Sequence, residues 1–230
     1  SIEVKGMHDF VTYVDKASEA LIVGELRKIL PDSDFIAEEN TAGKTSSEYT
    51  WIIDPLDGTT NFIHGIPCFS VSIALRHKEE TTLGVVYEVN RSECFYSSGK
   101  GTFLNGDPVK VSSMNKLESS FLATGFPYSN FSRMDSFIPH FKEILSKTTG
   151  VRRLGSAAAD LAYVACGRFD AFWEYDLKPW DVAAGAFLVK QAGGEVTDFK
   201  GEDNYVFGGE MVAGNPAIHK ELLDSIKMHF

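Results

Sequence analysis

The sequence predicts a mixed α/β protein of the α+β kind, with two mixed layers that share an interface. Three observations predict it. One helix with apolar residues at helical spacing leads the chain. A run of strands follows, several alternating with period two, and the second half then alternates strand and helix. At 230 residues the chain has room for one large domain or two joined halves. The division is expected near residue 118, giving an N-terminal half 1–118 and a C-terminal half 119–230 in one compact unit.

The elements follow in order. Residues 12–30 carry apolar positions at helical spacing, and Pro31 closes the segment. FIAEE (35–39) reads as a short strand ending in two acids, and WIID (51–54) as a strand with a buried-type apolar run. FSVSIALR (69–76) and parts of LGVVYEV (83–89) and ECFYSS (93–98) alternate, as antiparallel strands do, with turns at Lys100-Gly101 and Asn105-Gly106. Residues 119–125 predict a strand, 133–147 a helix, 156–168 a helix rich in small residues, and 169–174 a strand. A helix over 181–194 stops at Gly193 and Gly194, and 211–215 is a last strand. Asn215 caps the final helix, with Pro216 at its first position.

Composition excludes several classes. The net charge of −10 argues against a nucleic-acid groove or an anionic membrane surface as partner. No 18-residue apolar run exists, so no membrane-spanning helix is expected, and no signal peptide is visible. Cys68, Cys94 and Cys166 are odd in number and far apart, which predicts small core residues in a reducing compartment. The six histidines form no metal spacing; His64, nearest the main motif, is read as solvated or structural. No GxGxxG or GxxxxGK[ST] string is present.

The chemistry concentrates in WIIDPLDGTTNF, residues 51–62. Asp54 ends an apolar strand and Pro55 blocks an immediate helix. Asp57, three residues on, turns its carboxylate toward the same point, where the Leu56 carbonyl also faces. Gly58, Thr59 and Thr60 then begin a helical turn whose free N–H groups form an anion site beside the acids. Read locally, Asp54 caps a turn and Asp57 makes an Asx-turn. Asp181 reads as an N-cap, and Glu38 and Glu39 as a solvated strand end. If Glu38, Asp54, Asp57 and Asp181 meet, each pair at ~4 Å repels by about 4 kcal/mol. Several such pairs rival a whole net stability of ~5–15 kcal/mol. The cluster then needs cations or bound protons, and an all-oxygen donor set favours Mg²⁺ or Mn²⁺ over Zn²⁺.

Four blocks in order, KGMHDFVTYVD (5–15), IAEE (36–39), WIIDPLDGTTNF (51–62) and the pair RRLGSAAADLAYVACGRFDAFWE (152–174) and KPWDVAAGAFLVKQAGG (178–194), resemble the inositol monophosphatase family. The resemblance spans essentially the whole chain. It implies the layered α/β/α/β/α sandwich of the inositol monophosphatase and fructose-1,6-bisphosphatase superfamily. It also implies a cytoplasmic, lithium-sensitive homodimer with a small-molecule phosphate ester as substrate and no nucleic-acid or membrane partner.

By the same resemblance, Glu38, Asp54 and the Leu56 carbonyl would bind one Mg²⁺, and Asp54, Asp57 and Asp181 a second. Glu38 would reach a third through water, and Mn²⁺ is a possible substitute. Asp15 and Thr59 resemble the pair that activates the attacking water, with Glu38 counted among the catalytic residues. Gly58 and Thr59 amides would hold phosphate, and Ser156, Ala157 and Glu174 would meet the polyol. Lys5 lies in the loop that closes over the metals. The implied reaction is hydrolysis of a phosphate monoester, above all myo-inositol monophosphate, by direct attack of water.

Two departures stand out: the family's usual first helix has no counterpart before Lys5, and Lys178 replaces a His found in animal relatives. An extra cation there keeps fructose 1,6-bisphosphate open as a substrate. Nucleotide 3′-phosphatases of the superfamily carry DGTKEF-like strings, whereas Thr60-Asn61-Phe62 favours inositol phosphate. A remote alternative is a noncatalytic metal-binding regulatory protein.

Overall fold

Strand β1 (Ile2–Gly6) pairs antiparallel with β2 (Asp9–Thr12), which runs into helix α1 (Tyr13–Ile29). The structure is a computed structural model describing residues 2–6, 9–39, 47–128 and 130–230, with side chains from residue 13 onward. Next come β3 (Asp34–Ala37), β4 (Tyr49–Asp57), the short helix α2 (Thr59–His64), β5 (Ser70–His77), β6 (Glu80–Glu88) and β7 (Glu93–Ser97). Strands β8 (Thr102–Leu104) and β9 (Asp107–Val109) complete a seven-stranded sheet in sequential order, parallel only between β3 and β4.

The second part contains β10 (Phe121–Thr124), α3 (Met134–Lys147), β11 (Gly150–Arg152), α4 (Ala157–Ala165), β12 (Ala171–Tyr175) and α5 (Pro179–Gln191). It ends with β13 (Glu195–Thr197), β14 (Glu210–Gly214) and α6 (Pro216–His229). Its five-stranded sheet has the order β11-β10-β12-β14-β13 and mixes parallel with antiparallel pairs.

Period-two burial builds the layers. On β4, Trp51 and Ile53 face α1 and pack with Val23 and Phe35, while Ile52 faces α4 and α5. On the smaller sheet, Ala123, Phe172 and Met211 point to the same central helices. Leu122, Trp173 and Val212 point away, to Phe137 and Ile144 of α3 and Ile218, Leu222 and Ile226 of α6. The stack is therefore α1, large sheet, α4 with α5, small sheet, α3 with α6: the expected α/β/α/β/α sandwich. Burying each large apolar side chain contributes about 1.5–3 kcal/mol.

The central helices are covered on both sides, which is why Ala158–Ala165 and Val182–Val189 carry little amphipathic pattern. Their close approach needs glycine: a Cβ on Gly185 would stand 2.5 Å from Leu161. Each terminus of α4 is set by sequence. Ser156 caps its start, and Gly167 at φ +76° follows its end.

Some expectations are corrected. Helix α5 begins at Pro179 rather than Asp181, because proline's fixed φ suits the first helical position. Asp181 is thus its third residue and accepts a hydrogen bond from the Lys178 backbone N–H at 2.7 Å. Strand β4 continues through Pro55 to Asp57, with an irregularity opposite β5 between Asp54 and Asp57. The hairpin β1–β2 and the short strands β8, β9 and β13 were not anticipated. Three-residue strands are too short to display a period. The three cysteines are unpaired, but half-buried rather than in the core. Among the described residues, no helix is long and apolar enough to cross a membrane.

Candidate active site

The end of β4 and the two helices that follow strand ends in the second part, α4 and α5, meet at one cavity of about 310 Å³. From the first part it is lined by Glu38, Asp54, Leu56, Asp57, Gly58 and Thr59. Ser156, Ala157, Glu174 and Asp181 line it from the second. Every residue singled out from the sequence as a metal, phosphate or polyol contact therefore borders the same space. Asp15 is linked to it by a hydrogen bond from the Thr59 hydroxyl at 3.0 Å. Lys5 lies on β1, and its side chain is outside the described residues. Lys178 also borders the cavity, whereas His64 is exposed at the end of α2.

Local structure explains the arrangement. Gly58 adopts φ +95°, and a Cβ there would press on the Cys68 and Gly155 carbonyls at 3.1 and 3.2 Å. Glycine thus permits the chain to turn from β4 into α2 against the neighbouring loops. Asn61 then ties α2 across the molecule, donating to the Cys68 and Leu154 carbonyls at 2.7 and 2.8 Å. Asp57 is held from the other half: Ser156 Oγ and Ala158 N–H both donate to its Oδ2 at 2.7 Å. Ser72 Oγ donates to the Trp180 carbonyl at 3.1 Å and pins the start of α5 to β5.

Thr59 has one hydroxyl proton and two acceptors at 3.0 Å, Asp15 Oδ1 and the Leu56 carbonyl. When it donates to Asp15, its lone pairs are available to a water in the cavity.

The cavity concentrates negative charge. Burial pushes the Asp54 carboxyl well above the usual carboxylate range, and repulsion from Glu38, Asp57 and Asp181 adds to the effect. Burial likewise raises Asp57, against hydrogen bonds from Ser156 and Ala158 that lower it. Asp181 is raised by burial and then by Asp57, and Glu174 by burial and then by Asp181. Among the described residues, no three acidic, imidazole or thiol groups stand in a preformed metal cage. Their own hydrogen bonds hold the acids in place: Asp54 Oδ1 takes the Leu56 N–H at 2.9 Å, Asp57 takes two donors, and Asp181 takes Lys178. An all-oxygen, acid-rich pocket of this kind suits a hard divalent cation. Nucleophilic thiol chemistry does not suit it, since burial pushes the nearby Cys68 thiol up to about 12.

The sequence reading missed Arg153, Tyr128, Gly125 and Asp160, which also border the cavity. Asp160 had a signal: it is the one acid in the otherwise apolar run of α4. The others had none, because loop residues reach the cavity only through the fold.

A layered α/β/α/β/α sandwich with an acidic pocket at the end of β4 defines a class of phosphatase-fold proteins. The chain belongs to the inositol monophosphatase family, whose family model matches residues 1–229. It is 46% identical to a Nus factor SuhB of Pseudomonas aeruginosa, covering 100% of this chain and 87% of that one. It is similar to the solved inositol monophosphatase of Anabaena, with TM-score 0.89 and 41% identity over 96% of this chain and 88% of that one. A Thermotoga maritima IMPase matches with TM-score 0.90 and 39% identity, over 99% and 87% of the two chains. Membership supports a phosphatase of this superfamily.

Proposed function

We propose that the protein is a Mg²⁺-dependent phosphomonoesterase that hydrolyses a myo-inositol monophosphate by direct attack of water. The observation that carries this reading is the single cavity shared by Glu38, Asp54, Asp57 and Asp181 beside the Gly58–Thr59 turn. Those acids and the Leu56 carbonyl would hold two to three Mg²⁺ ions, with Mn²⁺ as a substitute. The ions supply Lewis-acid stabilisation of phosphoryl oxygens and lower the pKa of water.

The chain's own groups do the rest. Thr59 receives the proton of the attacking water as it donates its own to Asp15. Glu38 borders the same space and serves as a further acceptor for that water. Gly58 and Thr59 border the cavity, and their N–H groups, at a helix start that leaves them without intrahelical acceptors, would hold the phosphate. Ser156 and Ala158 keep the Asp57 carboxylate aimed at the cavity. Glu174 and the Ala157 backbone border the space left for the alcohol. Charge placement and positioning supply most of the acceleration in phosphoryl transfer, so no covalent nucleophile is needed. The same reading includes a cytoplasmic homodimer and inhibition by lithium.

Phosphate release from inositol 1-phosphate tests the proposal, with Mg²⁺ present and after EDTA. Turnover is expected only with the metal, and Asp54→Asn should abolish it while the protein still melts cooperatively. Full activity in EDTA, or in Asp54→Asn, would rule the metal assignment out. Lys178 on the cavity wall favours one alternative substrate, fructose 1,6-bisphosphate, which belongs in the same assay.

The relatives named Nus factors favour a second role of that kind. The net charge of −10 directs it to a protein partner rather than nucleic acid. Replacing the Pseudomonas relative in its own host with this chain tests it: rescue by both the parent and Asp54→Asn supports a role independent of catalysis, and no rescue by the parent excludes it.

A further inference from the structure

Asp160 is 1% exposed, on the first turns of α4, and it borders the cavity. Its Oδ1 is buried with no hydrogen-bond partner. A buried carboxyl oxygen left unpaired is costly, so its position calls for a donor that arrives with a ligand. Arg153 borders the same space, and its charge opposes the burial that raises the Asp160 carboxyl. It leaves Asp160 Oδ1 without a hydrogen-bond donor, because the Arg153 guanidinium is bonded to the Tyr128 hydroxyl and lies 5.1 Å from that ring's centroid.

Glu174 is the second acid at this end. A Cβ on Gly125 would stand 2.0 Å from its carboxyl, so glycine is what lets Glu174 lie against that loop. Asp160 and Glu174 come from different elements, α4 and β12, yet border one space. Two acids present acceptors, and the matching ligand surface is a set of hydroxyl donors.

We propose that Asp160 is a specificity-determining residue, whose unpartnered oxygen accepts a hydroxyl of the substrate's alcohol part and selects polyhydroxylated phosphate esters. This rests on the phosphatase reading above, and it names the face of the cavity that reads the leaving alcohol. Asp160 takes no part in the bond broken.

Two substrates separate recognition from chemistry: myo-inositol 1-phosphate, rich in hydroxyls, and phenyl phosphate, which has none beyond its phosphate. Asp160→Leu is expected to lower kcat/KM on the inositol ester by about 10–100-fold, the cost of leaving a buried substrate hydroxyl without its acceptor. On phenyl phosphate the change should stay within about twofold. The ligand-free variant should melt no lower than the parent, and up to about 2–4 °C higher, because the orphaned oxygen is gone. Should Asp160→Leu fail to fold, Asp160→Asn carries the test, with an expected loss of about tenfold confined to the inositol ester. Equal losses on both esters, or none on the inositol ester, overturn the proposal while leaving the phosphatase reading in place. A parent that cleaves neither ester with Mg²⁺ overturns both.

Discussion

Replacing Ser156 by alanine tests how the start of α4 and the end of β4 build the pocket between them. The hydroxyl has one proton, and Asp57 Oδ2 at 2.7 Å takes it. Its two lone pairs then face the Ser70 hydroxyl at 3.0 Å and the Ala159 N–H at 3.3 Å. All its capacity is used, and it is 1% exposed. Ser156→Ala removes a bond to a charged group, worth about 1.5–3 kcal/mol. It also removes an N-cap, worth about 1 kcal/mol. These losses are not additive, since Asp57 keeps the Ala158 N–H. A net loss of about 3 kcal/mol lowers Tm by about 6–12 °C in a chain of this length. Activity should fall as well, by about 10–100-fold in kcat/KM, because an outer partner of a metal-site carboxylate is gone. Ser70→Ala is the control: it removes one neutral bond and leaves both Asp57 donors, so it should cost about 1 kcal/mol and leave turnover near the parent's. Calorimetry and phosphate release on both variants decide the matter. If Ser156→Ala melts within 1 °C of the parent, or turns over as fast, the clamp on Asp57 is not what shapes the pocket.

Thr59→Val keeps the side-chain shape but loses the hydroxyl between Asp15 and the Leu56 carbonyl. It should lower kcat by about 10²-fold with little change in KM, as loss of a proton path does; an unaltered kcat removes Thr59 from the reaction. Stability should also depend on pH through His140, which is fully buried, with both ring nitrogens unpartnered. Burial, and then the His229 imidazole, push its pKa from 6.5 to about 4. The unfolded chain binds this proton near 6.5 and the folded chain only near 4, so stability is intact above that window and falls as pH drops through it. The loss reaches about 3 kcal/mol below the window, and His140→Leu should flatten the slope between pH 6.5 and 4 in denaturant titrations. An identical slope in the variant would place the dependence elsewhere.

What could be read in advance, and what could not, follows from how locally each feature is encoded. Helix α1 was legible from apolar residues at helical spacing, and α6 from Asn215-Pro216, which marks its start. Helix α4 was legible from its small residues and α5 from its glycine stop, but the start of α5 was misplaced by two residues. There the sequence puts an acid and a proline close together, and only the fold shows that Pro179 takes the first position. The acids Glu38, Asp54, Asp57 and Asp181 were legible as strand-end and helix-start residues, each with a simpler local reading. What local sequence cannot contain is the bond from Ser156 and Ala158 to Asp57, across about a hundred residues of chain. That bond turns Asp57 from a turn-closing acid into a group shared by both halves.

Asp160 marks the same limit from the other side. An acid in an apolar helix reads as an anomaly in sequence, and it becomes interpretable only when the fold places its unpaired oxygen at a cavity. A fold that retains such a cost at one position, while satisfying Ser156 fully a single turn away, has stability to recover there and a reason not to. Of the acids bordering the cavity, Asp160 is therefore the one whose removal should separate stability from substrate choice most cleanly.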